Sequence, residues 1–564
     1  MAGGLLNLIA IGNQNIILNG NPTKSFFKFK HVKYTNFGLQ KYRIDQTGQT
    51  NLTMNQDSKF SFKISRYGDL LMDTYLVLNL PNIWSPIFQY NNNGTNEFRP
   101  YEFKWIKNIG TQLIKEITFT IGGHIIQKFS GNYIQNVVDR DFDSNKKELF
   151  NIMTGNIKEL NDPANYNNRS NNYPNAWKIN DLSSNSVEPS IGSQQLYIPI
   201  NSWFSLSSTM ALPLICLQYS ELAINFTLRP IVELFTIKDI LYDKNITNYD
   251  DIPHIQASQN INEAYGFHRF INAPPNTTIT DSPAIYPDKR INWNSDIHLI
   301  TNQCFLDTQE RDLFAKNTQN YLIKEVYEHS FEKINKASKV KLESNGLVSS
   351  WMWYFQRNDV KSRNEWSNYS NWLYEDILPN TLQELKVNNN KIYYSQNNNY
   401  SINDTSKNIY ITGYEPDIYN QSNTKEIMKD FAIICDGKYR ENSLPSGVYN
   451  KIEKYTRTAG NSKTGLYCYN FCLSTDPFKF QPNGAFNTNK FKNIELEYNN
   501  HSNPPIDFSN VQFNTICDPN TGEIIATTKD PTNIYKYNYN LYIMEERYNI
   551  LQFQSGTADL VYSR

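Results

Sequence analysis

The side chains able to do chemistry are present but poorly grouped. The seven histidines, His31, His124, His254, His268, His298, His329 and His501, never fall at H-x-x-x-H spacing or beside a cysteine pair, so a zinc site lacks its ligand pattern. No G-x-S-x-G elbow and no G-x-x-x-x-G-K-[ST] phosphate loop occurs. Asp139, Asp141 and Asp143 alternate as calcium ligands do, yet the rest of an EF-hand loop is missing and the run reads as a solvated face. Trp351 and Trp353 could form a sugar platform, and paired carboxylates on a sheet would leave no sequence signature. Their period of two on a dense apolar strand reads instead as core. Cys216, Cys304, Cys435, Cys468, Cys472 and Cys517 are scattered; in a strand Cys468 and Cys472 would stand ~13 Å apart at ~3.3 Å per residue, too far for a bridge. They read as free buried thiols. Sequons at Asn93, Asn168, Asn399, Asn403 and Asn420 are candidate glycosylation sites, but an Asn-rich chain generates such triplets by chance.

The elements that would carry these residues are strands. Phe60, Phe62 and Ile64 alternate with Lys59, Ser61 and Lys63, the period that puts one face on a core and the other in water. Leu70 to Leu80 continues the pattern until Pro81 ends the ladder. Ile117, Phe119 and Ile121 run into Gly122-Gly123, whose glycines accept the positive φ of a two-residue hairpin. Leu222, Ile224, Phe226 and Leu228 form another strand face. Leu347, Ser349, Trp351, Trp353 and Phe355 alternate with Met352 and Tyr354, predicting a strand buried on both sides. Ile494, Leu496 and Tyr498, then Tyr535 to Ile543, close the chain with more of the same. Helices are minor: Asp307-Thr308-Gln309-Glu310 has capping-box spacing and predicts a short helix through Leu313 and Phe314.

Many strands without helical periods between them argue for an all-β sandwich in each half of a 564-residue chain too long for one core. The division reads as an N-terminal arm over 1–24, a first sandwich over 25–242 with an insertion at about 143–193, a connector over 243–294, and a second sandwich over 295–564 with an insertion at about 388–420. The arm carries Leu5, Leu6, Leu8, Ile9 and Ile11 and ends at the breaker cluster Asn19-Gly20-Asn21-Pro22. Past it, Phe26, Phe27, Phe29, Val32, Tyr34 and Phe37 among lysines predict the first strand.

Net charge is −1, so no global field draws nucleic acid. The basic run Lys24, Lys28, Lys30, Lys33, Lys41 and Arg43 reads as a solvated strand face. No apolar run approaches the ~18–20 residues of a membrane-spanning helix, and the arm lacks the basic n-region of a signal peptide, so a cytoplasmic product is expected.

Four stretches carry a resemblance across nearly the whole chain. They are Gly3-Gly4-Leu5 with Gly20-Asn21-Pro22, Ser25-Phe26-Phe27-Lys28 and Tyr34-Thr35-Asn36-Phe37; Arg66-Tyr67-Gly68-Asp69 with the strand after it; Leu212 to Leu222; and Phe471 to Pro477 with Gln481-Pro482-Asn483-Gly484. They resemble the major capsid protein of nucleocytoplasmic large DNA viruses. The resemblance implies two consecutive eight-stranded jelly-roll sandwiches, a double jelly roll, with long loop insertions. It also implies a non-enzymatic homotrimer of pseudo-hexagonal outline that tiles an icosahedral shell, without cofactors or direct nucleic-acid contact. Neighbouring capsomers, minor capsid proteins and a penton protein would be its partners, and the arm would reach a neighbour or the layer or membrane beneath the shell. Such a protein is assembled in the host cytoplasm and resides in the virion. The alternatives are a jelly-roll carbohydrate-binding protein or glycoside hydrolase, and a surface attachment protein.

Overall fold

The computed structural model describes the chain apart from residues 1, 49–50, 93–94, 177–186, 239–253, 256–265, 275–285, 335–336, 373, 377–384, 388–389, 393–424, 502–512, 518–523, 530–537 and 563–564. The sequons at Asn93, Asn399, Asn403 and Asn420 lie outside the described residues, and Cys517 ends the strand Phe513–Cys517.

The first sandwich pairs two sheets. One runs Phe37–Asp45, His298–Leu306, Leu70–Leu80 and Leu212–Pro213, with Gln194–Pro199 also on Leu70–Leu80; the other runs Ser58–Lys63, Leu222–Leu228, Ile114–Ile121 and His124–Phe129. The alternating residues do what their period requires: Phe60, Phe62, Ile224, Phe226, Ile117 and Phe119 are all buried between the sheets. The expected hairpin forms, with Ile121 opposite His124 and φ of 58° and 88° at Gly122 and Gly123.

The second sandwich sets Gln319–Ile334, Tyr539–Gln554, Leu347–Arg357 and Leu466–Asn470 against Ala337–Leu342, Ile494–Asn500, Met428–Cys435 and Lys438–Pro445. Trp351, Trp353 and Phe355 point into this core with Phe431, Leu496 and Leu541. Met352 and Tyr354, on the opposite face, belong to the core of the first sandwich. The strand is buried on both sides because it faces its own core and the neighbouring sandwich at once.

Five expectations change. Residues 21–36 form no strand, and Phe26, Phe27, Phe29, Val32 and Tyr34 are 84–101% exposed; the first strand starts only at Phe37, where His298–Leu306 supplies a partner. The sequence places that partner in the second sandwich, yet it pairs with both Phe37–Asp45 and Leu70–Leu80 in the first, so the second begins after Leu306. The polar stretch at 143–193 is not all exposed loop: Asp143 caps the helix Ser144–Met153 by accepting from Lys146 N at 2.7 Å, and Phe150 and Leu160 are buried. The connector contributes Phe267 and Phe270, which are fully buried against Phe103 and Phe235. The helix Thr308–Lys316 forms as expected, but its capping box does not: Asp307 makes no side-chain cap bond.

Candidate assembly surfaces

The helix Gly131–Asp141 carries the most deeply buried polar contact between the sandwiches, beside others such as Asn364 Nδ2 on the Val232 and Phe235 carbonyls and Trp366 Nε1 on the Glu233 carbonyl. Tyr133, Ile134, Val137 and Val138 give it a buried apolar stripe, and Ser130 caps it through a bond from Tyr133 N. Its last turn delivers Arg140, 1% exposed, to Glu546 on the central strand Tyr539–Gln554. Arg140 Nη2 donates to Glu546 Oε1 and Oε2 at 3.0 and 3.1 Å and to Asp141 Oδ2 at 2.7 Å. Tyr133 O–H and Ser350 O–H donate to Glu546 at 2.9 and 2.6 Å, and Thr475 O–H to Asp141 at 2.5 Å. Around this cluster, Tyr369 O–H donates to Asn136, and Gly460 N–H donates to the Arg140 carbonyl. Glu546, Asp141 and Asn136 each find a hydrogen-bond partner across the junction.

The same geometry disposes of the chemical candidates. Asp139 and Asp141 are buried rather than solvated, the first paired with Lys147 at 2.5 Å and the second with Arg140. Asp143 is spent as a helix cap. No group of three His, Cys, Asp or Glu among the described residues is placed to hold a metal. Trp351 and Trp353 are 0% and 1% exposed, Trp351 donating to Glu545 Oε2 at 2.9 Å, so neither offers a sugar platform. Cys304, Cys435, Cys468 and Cys472 are buried free thiols; Cys216 is half-buried and free. An open hollow of about 580 Å³ includes Glu325, but that carboxylate is bound to Arg547 at 3.3 Å and is the hollow's sole acid. Asn168 is exposed, on a turn with φ of 62°.

The pairs of Arg140 with Glu546 and of Arg357 and Arg363 with the half-buried Asp359 should make the fold acid-labile. Burial works to raise the Asp359 carboxyl, but Arg357 and Arg363 outweigh it and hold it well below the usual carboxylate range; Arg140 does the same for Glu546 with less margin. A carboxyl depressed in the folded state stabilises it fully above its unfolded value, about 4, and loses that stabilisation as pH falls through the folded value. Asp141, Glu325, Glu328, Glu365 and Glu453 are shifted the other way, burial outweighing their partners, so they take their protons first and delay the loss. The midpoint of thermal unfolding should therefore hold from pH 7 to about 4.5 and fall steeply below about 4. Differential scanning calorimetry checks this, and D359N should flatten the fall; a midpoint unchanged down to about pH 3 contradicts it.

The two ends of the molecule differ. Phe37 lies opposite Leu306, and Leu70 opposite Cys304 and Pro213, so the arm leaves the body beside the start of helix Thr308–Lys316. At this end Cys216 S–H donates to the Phe314 carbonyl, Tyr219 N–H donates to the Gly556 carbonyl, and Ile215, Tyr219, Lys316, Phe553 and Gly556 line a hollow of about 500 Å³. The arm residues Leu5, Leu6, Leu8, Ile9 and Ile11 are 47–70% exposed, with Leu5–Ile9 in a helical turn that buries none of them. Tyr539, at the start of the central strand, stands roughly 50 Å from its Gln554 end at ~3.3 Å per residue. Near Tyr539 the residues flanking the polar stretches gather: Asn358 N–H donates to the Asn538 carbonyl, Asn371 N–H to Lys425, and His501 N–H to Ile427.

Residues 25–267 match the family model for the major capsid protein N-terminus, and residues 310–559 match that for the large eukaryotic DNA virus major capsid protein. The chain belongs to this family. Capsid protein 1 of Acanthamoeba polyphaga mimivirus is 29% identical over 63% of this chain, which spans about half, 48%, of that relative's length. The major capsid protein of Paramecium bursaria Chlorella virus 1 is 25% identical over the full length of both chains. Among solved structures, PBCV-1 VP54 covers 96% of this chain and all of its own at TM-score 0.57 and 18% identity. The Faustovirus major capsid protein covers 94% and 93% at TM-score 0.59 and 12% identity. These likenesses establish the double jelly roll. Members of this capsid family are structural proteins, which removes the glycoside-hydrolase alternative. The residues that join the two jelly rolls, Tyr133, Arg140, Ser350, Thr475 and Glu546, escape sequence reading. Their one trace is the run Glu545-Glu546-Arg547 inside a strand that carries no other charge.

Proposed function

We propose that this chain is the building block of an icosahedral capsid shell, three copies closing into a pseudo-hexagonal capsomer. The observation that carries the reading is the rigid coupling of two sandwiches side by side through the Arg140–Glu546 cluster. Two fixed lobes per chain times three chains approximate a hexagon, and closed symmetry limits which surfaces associate. The polarity of the molecule supports an orientation. The end near Tyr539 would face outward, where loops cluster; the arm end would face inward, towards a neighbouring capsomer, a minor capsid or penton protein, or the layer or membrane beneath. Leu5, Leu6, Leu8, Ile9 and Ile11 are the contact residues in this reading. Synthesis and assembly would take place in the host cytoplasm, without direct contact to nucleic acid.

Mass photometry of the purified chain at micromolar concentration should give a trimer, and a stable monomer would overturn the reading. Deleting Ala2–Gly20 should leave the trimer and its melting temperature unchanged, because nothing in the arm is buried, while shell assembly falls. Unchanged particle yield would remove the arm from the proposal.

A further inference from the structure

Lys454 is 6% exposed, and lysines are almost never buried to that degree without an ionic partner. Its Nζ has none among the described carboxylates. It donates to Asn450 Oδ1 at 2.8 Å and to the Lys463 carbonyl at 3.1 Å. Asn450, 7% exposed, turns its other amide atom outward, and Nδ2 donates to Glu426 Oε1 at 3.4 Å. An ammonium needs an acceptor, so the amide orientation is fixed: amine, then carbonyl, then amide nitrogen, then carboxylate. Asn450 lies in the π-helical turn Val448–Ile452, a rare form found mostly at functional sites, and Lys454 follows on the helix Glu453–Arg457. Spacing of four residues puts the two side chains on one helix face. That helix packs on the strand Leu466–Asn470, whose Leu466, Tyr467 and Cys468 are wholly buried.

We propose that Lys454, Asn450 and Glu426 form a self-processing site that joins Lys454 Nζ to Asn450 Cγ in an intramolecular isopeptide bond. The neutral amine attacks the carboxamide carbon; Glu426 takes a proton from the attacking nitrogen and returns it to Nδ2. The Cγ–Nδ2 bond breaks, ammonia leaves, and a secondary amide remains, with no oxidant or other co-reactant. Burial, which costs the charged amine its water, pushes Lys454 down to about 8, so the nucleophilic form is accessible near neutrality. The bond would staple the turn from Asn450 to Lys454 within the helical segment 448–457.

Intact mass spectrometry of the full-length chain, followed by tryptic mapping, decides the matter. The expected product is lighter than the sequence mass by one ammonia, about 17 Da, and forms about tenfold faster at pH 9 than at pH 7. Trypsin cuts after Lys451, between the two residues, so the bond yields a branched peptide; K454R should give none and E426Q should form it more slowly. An unbranched peptide after incubation at pH 9 overturns the proposal. So does ammonia loss that maps instead to Asn19-Gly20, Asn93-Gly94, Asn345-Gly346 or Asn483-Gly484, which would be ordinary succinimide formation. Because the wild-type peptide alone gives the answer, a variant that fails to fold does not blur it.

Discussion

Replacing Arg140 with leucine should destabilise the folded chain by about 3–5 kcal/mol, as measured by the denaturant midpoint. The size follows from what is left behind. Glu546 and Asp141 are both about 3% exposed, and without the guanidinium two like charges remain in a site that water cannot reach. Ser350, Tyr133 and Thr475 still donate to them, but neutral hydroxyls do not cancel the charge. R140L/E546L should recover only part of the loss, since it removes one of the two stranded carboxylates while Asp141 stays buried with Thr475 as its remaining donor. Because the cluster couples the sandwiches, R140L should also split a single unfolding transition into two, the first sandwich separating from the second before both melt. A single transition shifted by less than about 1 kcal/mol would mean that the apolar contact of Met352, Tyr354 and Met544 holds the lobes without help from the charges.

What the sequence disclosed and what it withheld divide along one physical line. Period-two strands with a good hairpin, such as Ile114–Ile121 and His124–Phe129, are legible because their pattern and turn are local. The double burial of Leu347–Arg357 is legible from Met352 and Tyr354 alternating with Trp351 and Trp353. Sheet membership is not local, which is why His298–Leu306 read as the start of the second sandwich when its partners lie more than 200 residues earlier. Nor does aromatic content make a strand: Phe26, Phe27 and Phe29 have the propensity but no neighbour to pair with, and stay exposed. The junction helix is the sharpest case. Tyr133, Ile134, Val137 and Val138 fall at helical spacing, but Asp139-Arg140-Asp141 after them looks like surface charge. Only Glu546, 406 residues away, makes Arg140 a core residue.

Gly131→Ala is the other substitution expected to cost most, about 4 kcal/mol or more. Gly131 opens the junction helix where it crosses the short helix Ile109–Leu113, and a Cβ built on it would stand 1.9 Å from the Thr111 carbonyl oxygen and 2.7 Å from that of Ile114. Both obstacles are backbone, fixed by their own structure, so the helix itself must retreat. At 1.5 Å per residue Arg140 lies about 13 Å along the helix. A tilt that clears Thr111 therefore also moves the guanidinium off Glu546, and the steric cost is compounded by part of the electrostatic one. Two other glycines isolate the mechanism. Gly123→Ala meets no atom within 4 Å but must adopt φ of 88°, a conformational cost of about 1 kcal/mol. Gly38→Ala, on an open edge strand with no such φ, should be neutral or stabilising by less than about 1 kcal/mol. If thermal unfolding ranks G131A with G123A, the close approach of the two helices yields more easily than the backbone obstacles allow. If G131A instead melts far lower, the position of one helix end governs the docking of the lobes.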